Sequence, residues 1–315
     1  MTGSHPRPAA GASRGALAQA VAPERLHERV LEWYADAQRD LPWRHGDASA
    51  WGIFVSEVML QQTPVARVLP VWTEWMQRWP EPADLAAEAP GEAVRAWGRL
   101  GYPRRALRLH SAAVAMTERH GGKVPMSEAE LSTLPGVGAY TAAAVATFAF
   151  GERTVVVDTN VRRVIARAVT GDEYGAASPT RAEHTLATSL VPEDSDRART
   201  WSVAVMELGA LVCTARAPRC GECPILDLCR WQSLGRPAHE GPPRRGQAWA
   251  GTDRQMRGAL LRRLRESPGP VPRSVLEGVS DNVVQRERCL DSLVADGLVE
   301  PLARDFFRLP GALGS

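Results

Sequence analysis

Lysine is almost missing from this chain. Of its 38 basic residues only Lys123 carries an amine and all the others are arginine, which narrows the amine chemistry open to it. Long apolar runs are missing too. A bilayer span needs roughly 20 apolar residues, and the longest stretch here, Ala139 to Phe150, reads as a buried core helix. The first twenty residues are rich in Ala, Gly, Ser and Pro and contain no signal-length apolar core, so residues 1–22 are expected to be a disordered arm on a soluble protein. Cysteine is scarce and odd in number: five residues, four of them between Cys213 and Cys229. With no secretion signal, that pattern argues against disulfides and for a metal site or cluster. The net charge of +2 does not require a polyanionic partner, but permits one where arginines cluster. No internal repeat is present.

What the chain does contain is a helical pattern. Its 315 residues, 44% hydrophobic and 23% charged, suggest two globular domains. From about residue 23 to 213 apolar residues return every three or four positions, as in Leu26, Val30 and Tyr34, or Ala106, Leu109, Ala113 and Met116. A short β-branched run at 154–157 interrupts the pattern. Residues 231–252 hold Gly235, Pro237, Gly241, Pro242, Pro243 and Gly246 and read as a linker. Beyond it, residues 253–315 predict helices near 254–265, 273–279 and 284–296 and strands at 298–302 and 306–309, the order of a small winged helix.

Several stretches carry chemistry. LPGVG at 134–138 lets the chain turn tightly and opens the first amides of the following helix to an anion, naturally a phosphate; the alternative is a plain helix connection. In WGIFVSEVMLQQ at 51–62, Glu57 falls on the apolar face, where desolvation raises a carboxyl toward neutrality and suits it to general-acid work. A buried ion pair with Arg39 or Arg44 is the other reading. Gln61, Gln62 and Thr63 then form either a polar tip able to enter a duplex or a solvated helix end. Asp158 in VVVDTN is both a helix N-cap candidate and a second carboxylate at a pocket mouth. Cys213, Cys220, Cys223 and Cys229 have the spacing C-x6-C-x2-C-x5-C, which favours a [4Fe-4S] cluster over the two close pairs usual for zinc. Cys289 reads as a small buried hydrophobe.

Together LPWR at 41–44, SEVMLQQT at 56–63, GRLGYP at 98–103, LPGVGAYTA at 134–142, VVVDTNV at 155–161, MELGA at 206–210 and the cysteine loop resemble the helix-hairpin-helix superfamily of DNA glycosylases. Within it the chain is most similar to the adenine DNA glycosylase (MutY) family, over roughly residues 23–230. The resemblance implies a mainly α fold: a two-lobed helix-hairpin-helix domain with a [4Fe-4S] loop, followed here by the winged-helix-like module. It implies a base-excision-repair enzyme that releases adenine mispaired with 8-oxoguanine or guanine in double-stranded DNA, acting as a monomer, without a membrane, in the cytoplasm with the bacterial nucleoid.

Carried over by position, Glu57 would protonate the base, Asp158 would stabilise the sugar cation and Tyr140 would hold both. Arg39, Leu41, Trp43, Leu60 and Val65 would line the base pocket, with Asn160 beside Asp158 and Gln62 and Tyr102 wedging the duplex. Gly136, Val137 and Gly138 would hold a phosphate, and Arg216 and Arg219 on the cluster loop would face the DNA backbone. Endonuclease III, which shares the hairpin and cysteine spacing, cuts the strand with a lysine just after the hairpin. That position is Tyr140 here. A glycosylase-lyase acting on oxidised pyrimidines and a non-catalytic DNA-binding module are the rival readings. The family's usual Nudix-like C-terminal domain, of more than a hundred residues, is replaced by about 63 residues. Arg254, Arg257, Arg262 and Arg263 on the module's first helix are candidate backbone contacts, and lesion discrimination is expected to rest mainly on Gln62, Tyr102 and the hairpin domain.

Overall fold

The structure, a computed structural model, describes residues 22–239, 241 and 250–311. The expected disordered arm lies outside the described residues apart from Ala22, as does most of the second half of the expected linker. The chain runs through α1 (Pro23–Ala37), α2 (Ala50–Leu60), α3 (Val65–Arg78), α4 (Pro82–Ala86), α5 (Pro90–Trp97), α6 (Arg104–Arg119), α7 (Glu128–Leu131) and α8 (Ala139–Phe150). It continues with α9 (Thr159–Ile165), α10 (Arg181–Ser189), α11 (Ser195–Leu211) and α12 (Arg230–Ser233). The last elements are α13 (Asp253–Glu266), β1 (Val271–Pro272), α14 (Arg273–Glu277), α15 (Val283–Ala295), β2 (Glu300–Leu302) and β3 (Phe306–Arg308).

Two apolar clusters divide the helices into lobes. One joins α2 to α8, with Trp75, Trp79 and Trp97 fully buried at its centre. Their rings meet edge to face, Trp75 and Trp79 at 4.9 Å and Trp75 and Trp97 at 5.7 Å, so indole area rather than aliphatic bulk fills this lobe. The other cluster returns the chain's beginning to its middle: Leu26, Val30 and Tyr34 of α1 pack with Val161, Val164 and Ile165 of α9 and with Trp201, Val205 and Leu208 of α11. Between the lobes Ile53, Ala144, Phe148 and Val156 form a small third cluster. The run at 154–157 pairs with no strand. It is an extended link, with Thr154 hydrogen-bonded to Thr147 and to the Ala143 carbonyl of α8.

Helix α2 owes its depth to its composition. Every residue from Trp51 to Met59 is buried, and the only carboxylate among them is Glu57. Ser49 caps its start by accepting from the Gly52 amide. Its far end is tied down by Arg105, a buried guanidinium that donates to the carbonyls of Val58, Met59 and Gln61, to the Thr63 hydroxyl and to the Gly101 carbonyl. Helix termini leave carbonyls without intrahelical partners, and one arginine answers three of them here.

The C-terminal segment has the helix and strand order expected of a winged helix, with one addition. Val271 and Pro272 form a third strand, so the antiparallel sheet has the order β1-β3-β2. Two proline- and glycine-flanked residues are too short a run to show an alternating pattern in sequence. The expected linker is also partly ordered: Trp231 is buried, its indole donating to the Pro237 carbonyl, and the His239 amide donates to Glu173. Nor does the small module stand apart. Its core, including Leu260, Leu264, Leu293 and Phe307, is continuous with the tryptophan cluster of the first lobe. Arg95 donates to the carbonyls of Leu264, Arg265 and Ser267 at the end of α13, and Arg265 returns a bond to the Val94 carbonyl of α5.

Gly91 marks the closest approach. Its amide donates to the Pro310 carbonyl at 2.7 Å, and a Cβ there would lie 2.5 Å from that oxygen and 2.9 Å from Leu309 Cβ. Gly91→Ala is therefore expected to cost about 1–3 kcal/mol through overpacking against backbone, lowering the melting temperature while the far-ultraviolet helical signal persists. Unchanged melting would mean that the module is not seated on α5.

Candidate active site

Glu57 comes to the junction of the lobes on α2, only 5% exposed. Burial pushes its carboxyl up from 4.5 to about 7; a hydrogen bond from the Tyr140 hydroxyl to Oε2 at 3.0 Å pulls the other way, and the charge of Asp158 pushes up again. Arg44 offers a weaker opposing charge. Glu57 makes no ion pair with Arg39 or Arg44. Both arginines instead grip Glu207 of α11: Arg39 through Nε at 2.6 Å and Nη2 at 2.7 Å, Arg44 through Nη2 at 2.9 Å. Glu207 is 1% exposed, and these two guanidinium partners hold its carboxyl down at about 2 despite its burial. Glu57 is thus a dry carboxyl without a cation of its own, and Glu207 a dry carboxylate with two. Sequence reasoning missed Glu207 because its partners lie more than 160 positions away.

Asp158 caps α9, so the structural and chemical readings of this residue coincide. Its Oδ1 accepts from the Val161 amide at 2.6 Å and its Oδ2 from Asn160 Nδ2 at 2.8 Å. Burial raises its carboxyl while these donors lower it. Tyr140, on the first turn of α8, feels both acids: burial, then the charges of Glu57 and Asp158, raise its phenol well above its ordinary value. Asn160 in turn accepts from Arg163, whose Nε donates to the Cys213 carbonyl and whose Nη2 reaches the Gly209 carbonyl. A continuous hydrogen-bonded run therefore joins Asp158 to the first cysteine of the loop.

The other residues expected to line a pocket or wedge a duplex divide by exposure. Leu41 and Trp43 are buried in the first lobe, with Trp43 edge-on to Trp72 at 5.4 Å, whereas Leu60 and Val65 are partly buried against the same cluster. Gln62 and Tyr102 both adopt left-handed backbone conformations, with φ of +57° and +48°. For residues with a Cβ this costs about 1 kcal/mol or more each. Arg105 holds the two turns together, since it binds Gln61 and Thr63 on one side and Gly101 on the other. Gln61 also donates to Thr141 of α8, so the tip of α2 touches the hairpin helix. In the hairpin Gly136 has φ +76° and Gly138 caps α8 without a side-chain acceptor, so the first amides of the helix, next to Val137 and Gly138, face outward as a phosphate would need.

Cys213, Cys220, Cys223 and Cys229 line one cavity together with Arg167, Val212, Leu226 and Trp231. Among the described residues no three His, Cys, Asp or Glu side chains could hold a single ion. Four thiols on one loop are the soft donor set that an iron-sulfur cluster takes. Burial pushes the Cys223 thiol up to about 12, so a bound cluster would supply the positive charge that favours its thiolate. Arg167, 1% exposed and stacked 4.7 Å from Trp231, donates to the Thr214 and Ala215 carbonyls and to Cys213 Sγ. Arg216 is exposed at the loop surface, but Arg219 is committed to the Leu211 carbonyl and to Glu222. The Arg219 side chain is nonetheless 53% exposed, so both arginines sit on the surface of the loop.

Residues 55–189 match the HhH-GPD superfamily of base excision DNA repair proteins, and residues 213–229 match the iron-sulfur binding domain of endonuclease III, so the cysteine loop is a [4Fe-4S] site. The chain is 52% identical over 283 residues to an adenine DNA glycosylase of Mycobacterium tuberculosis, covering 90% of this chain and 92% of that one. It is 54% identical to an adenine DNA glycosylase of Mycolicibacterium smegmatis, covering 90% and 95%. Among solved structures, a thermostable thymine-DNA glycosylase superposes with a TM-score of 0.61 at 28% identity, covering 67% of this chain and 97% of that one.

Replacing Cys220 by Ser should bleach the brown colour of the purified protein and weaken duplex binding several-fold, because the loop loses a ligand that fixes its shape. Visible absorption near the iron-sulfur band, iron content and a filter-binding titration on one preparation check this. A colourless wild type loaded with zinc would contradict it.

Proposed function

Since this chain belongs to the adenine DNA glycosylases of the helix-hairpin-helix superfamily, we propose that it hydrolyses the N-glycosidic bond of adenine mispaired with 8-oxoguanine or guanine and leaves the strand uncut. The observation that carries this reading is the pairing of a dry carboxyl near neutrality, Glu57, with a second carboxylate held by hydrogen-bond donors, Asp158. Two acids kept apart in protonation by their surroundings divide the work between them.

The glycosidic carbon is out of reach inside a base stack, so the enzyme extrudes the adenine into the space between the lobes. Glu57 delivers its proton to N7 of the base. The bond from C1′ to N9 then breaks, its electron pair leaving with the neutral purine. Asp158, ionised, faces the cationic sugar, while the Tyr140 hydroxyl fixes Glu57 between them. Water adds to C1′, giving up a proton to the Glu57 carboxylate left by the first step, and the abasic site results. Arg39, Leu41, Trp43, Leu60 and Val65 line the base pocket, and Asn160 holds Asp158. Gln62 and Tyr102 enter the duplex beside the lesion, and the hairpin amides at Gly136 to Gly138 hold a phosphate, with Arg216 adding charge at the cluster loop. Bound in its loop, the [4Fe-4S] cluster supplies a covalent brace and no electrons. No lysine stands where a strand-cutting relative would need one: Tyr140 occupies that place, and Lys123 lies exposed in the turn after α6. The protein is proposed to work as a monomer on double-stranded DNA.

Duplexes carrying adenine opposite 8-oxoguanine, guanine or cytosine, assayed with and without alkali, test the reading. Strand breaks that need alkali, fastest opposite 8-oxoguanine, together with little adduct trapped by borohydride, are expected. Breaks without alkali and efficient trapping would move the protein to the lyase class, and release of thymine or oxidised pyrimidines would change the substrate.

The pH dependence follows from Glu57. The proton donor is present below its folded value of about 7, so the single-turnover rate should fall as pH rises through that range. Glu57→Gln should reduce the rate by at least about 100-fold with duplex affinity nearly kept. Stability moves the same way. A carboxyl whose folded value lies above its unfolded one holds its proton more tightly in the native state, so its contribution is full below about 4.5 and is lost as pH rises through about 7. The rise from 4.5 to about 7 corresponds to on the order of 3 kcal/mol. Glu57→Gln should therefore melt above the wild type at pH 8 and close to it at pH 4.5. Wild-type melting that is equal to or higher than the variant's at pH 8 would show that Glu57 is not desolvated.

A further inference from the structure

We propose that Arg254 of the C-terminal module is a positioning residue for Tyr102, through which the module acts on the DNA strand facing the adenine. The proposal rests on the duplex-wedging role given to Tyr102 above. Tyr102 is 45% exposed and its backbone is left-handed, so the first lobe presents the ring to solvent without burying it. Two guanidiniums flank it instead. Arg105 lies 5.6 Å from the ring on its own lobe, and Arg254 lies 5.1 Å from the ring while its Nη2 donates to the Tyr102 hydroxyl at 2.9 Å. A half-exposed phenol ordinarily samples several rotamers; one gripped at both the face and the hydroxyl is restricted to one direction.

The placement of Arg254 is itself fixed. It sits on the first turn of α13, whose Thr252 cap accepts from the Gln255 amide and whose far end is bound to α5 through Arg95 and Arg265. Asp253 beside it takes bonds from Gln285 and Arg288 of α15. The turn that carries Tyr102 is fastened to the module a second time, where Arg104 pairs with Asp296, which Arg257 also holds. The module and the wedge residue therefore form one surface, and Arg257, expected to face the DNA backbone, is spent on the module's own Asp296. When the ring enters the base stack its hydroxyl stays at the duplex edge, and Arg254 stays with it. Discrimination of the opposing base then depends on the module as well as on the first lobe, in contrast to the expectation that the hairpin domain carries it mainly. Deleting the module would also strip the first lobe's core, so point variants of the full chain are the cleaner probe.

A double-mutant cycle tests this with full-length wild type, Arg254→Ala, Tyr102→Phe and the double variant. The readout is the ratio of single-turnover adenine release opposite 8-oxoguanine to that opposite cytosine, at one salt concentration. Each single variant is expected to lower the ratio several-fold, and the double variant to lower it no further than the worse single. Tyr102→Phe removes only the hydroxyl, so it keeps the assay informative if Arg254→Ala folds poorly, and melting curves report that directly. Additive losses, or an equal drop for both opposing bases, would overturn the proposal and leave Arg254 a simple phosphate contact. Wild-type protein that releases no adenine would instead defeat the functional reading, a separate outcome.

Discussion

Water is kept from the Glu57 carboxyl by the junction of two lobes, and the arrangement of the protein follows from keeping it dry. The carboxyl sits on a helix buried from Trp51 to Met59, one turn after Ile53, which packs with Ala144 and Phe148 of α8 and Val156 of the extended link. Neither lobe could desolvate it alone. The same junction delivers Tyr140 from α8 and Asp158 from the start of α9, so two carboxyls with different donors are brought together by the contact that excludes solvent. Desolvation raises both carboxyls, and the difference between them lies in their donors: one phenol for Glu57, a backbone amide and an amide side chain for Asp158.

Arginine does the work of tying this junction to the rest of the molecule. Arg39 and Arg44 carry Glu207, Arg105 closes the end of α2, Arg163 links Asn160 to the cysteine loop, and Arg167 braces that loop from within. A planar fork with several donors can answer several carbonyls at once, which an ammonium on a flexible stem does less well. A chain with a single lysine thus has the residue its architecture uses, and has little amine to misplace near a sugar aldehyde.

Much of this was legible in the sequence, and the parts that were not share a cause. Glu57 was readable because an acid within an apolar period is conspicuous; Asp158 because Asp, Thr and Asn before a helix announce a cap; the cluster because four cysteines in seventeen residues have few other uses. Periodicity located the three helices of the small module to within two residues at each end, and the apolar positions at 26–34 and 106–116 fall inside α1 and α6. The third strand was missed because two residues have no period, and the run at 154–157 looked like a strand because β-branched residues suit any extended backbone, paired or not.

The sequence by itself determined the local grammar: which segments are helical, which carboxyls and thiols are available, and that no lysine follows the hairpin. Only the tertiary structure decided who partners whom. Arg39 and Arg44 stood near enough in sequence to claim Glu57, yet Glu207 takes both; Arg219 bonds the Leu211 carbonyl at a helix end; the linker's first residues pack, and the module beyond it reaches back to Tyr102. Helical period and capping depend on neighbours a few positions away. The partner of a buried charge is instead set by which donors the fold brings within about 3 Å once water has been removed, and for Glu207 those donors lie more than 160 residues distant along the chain.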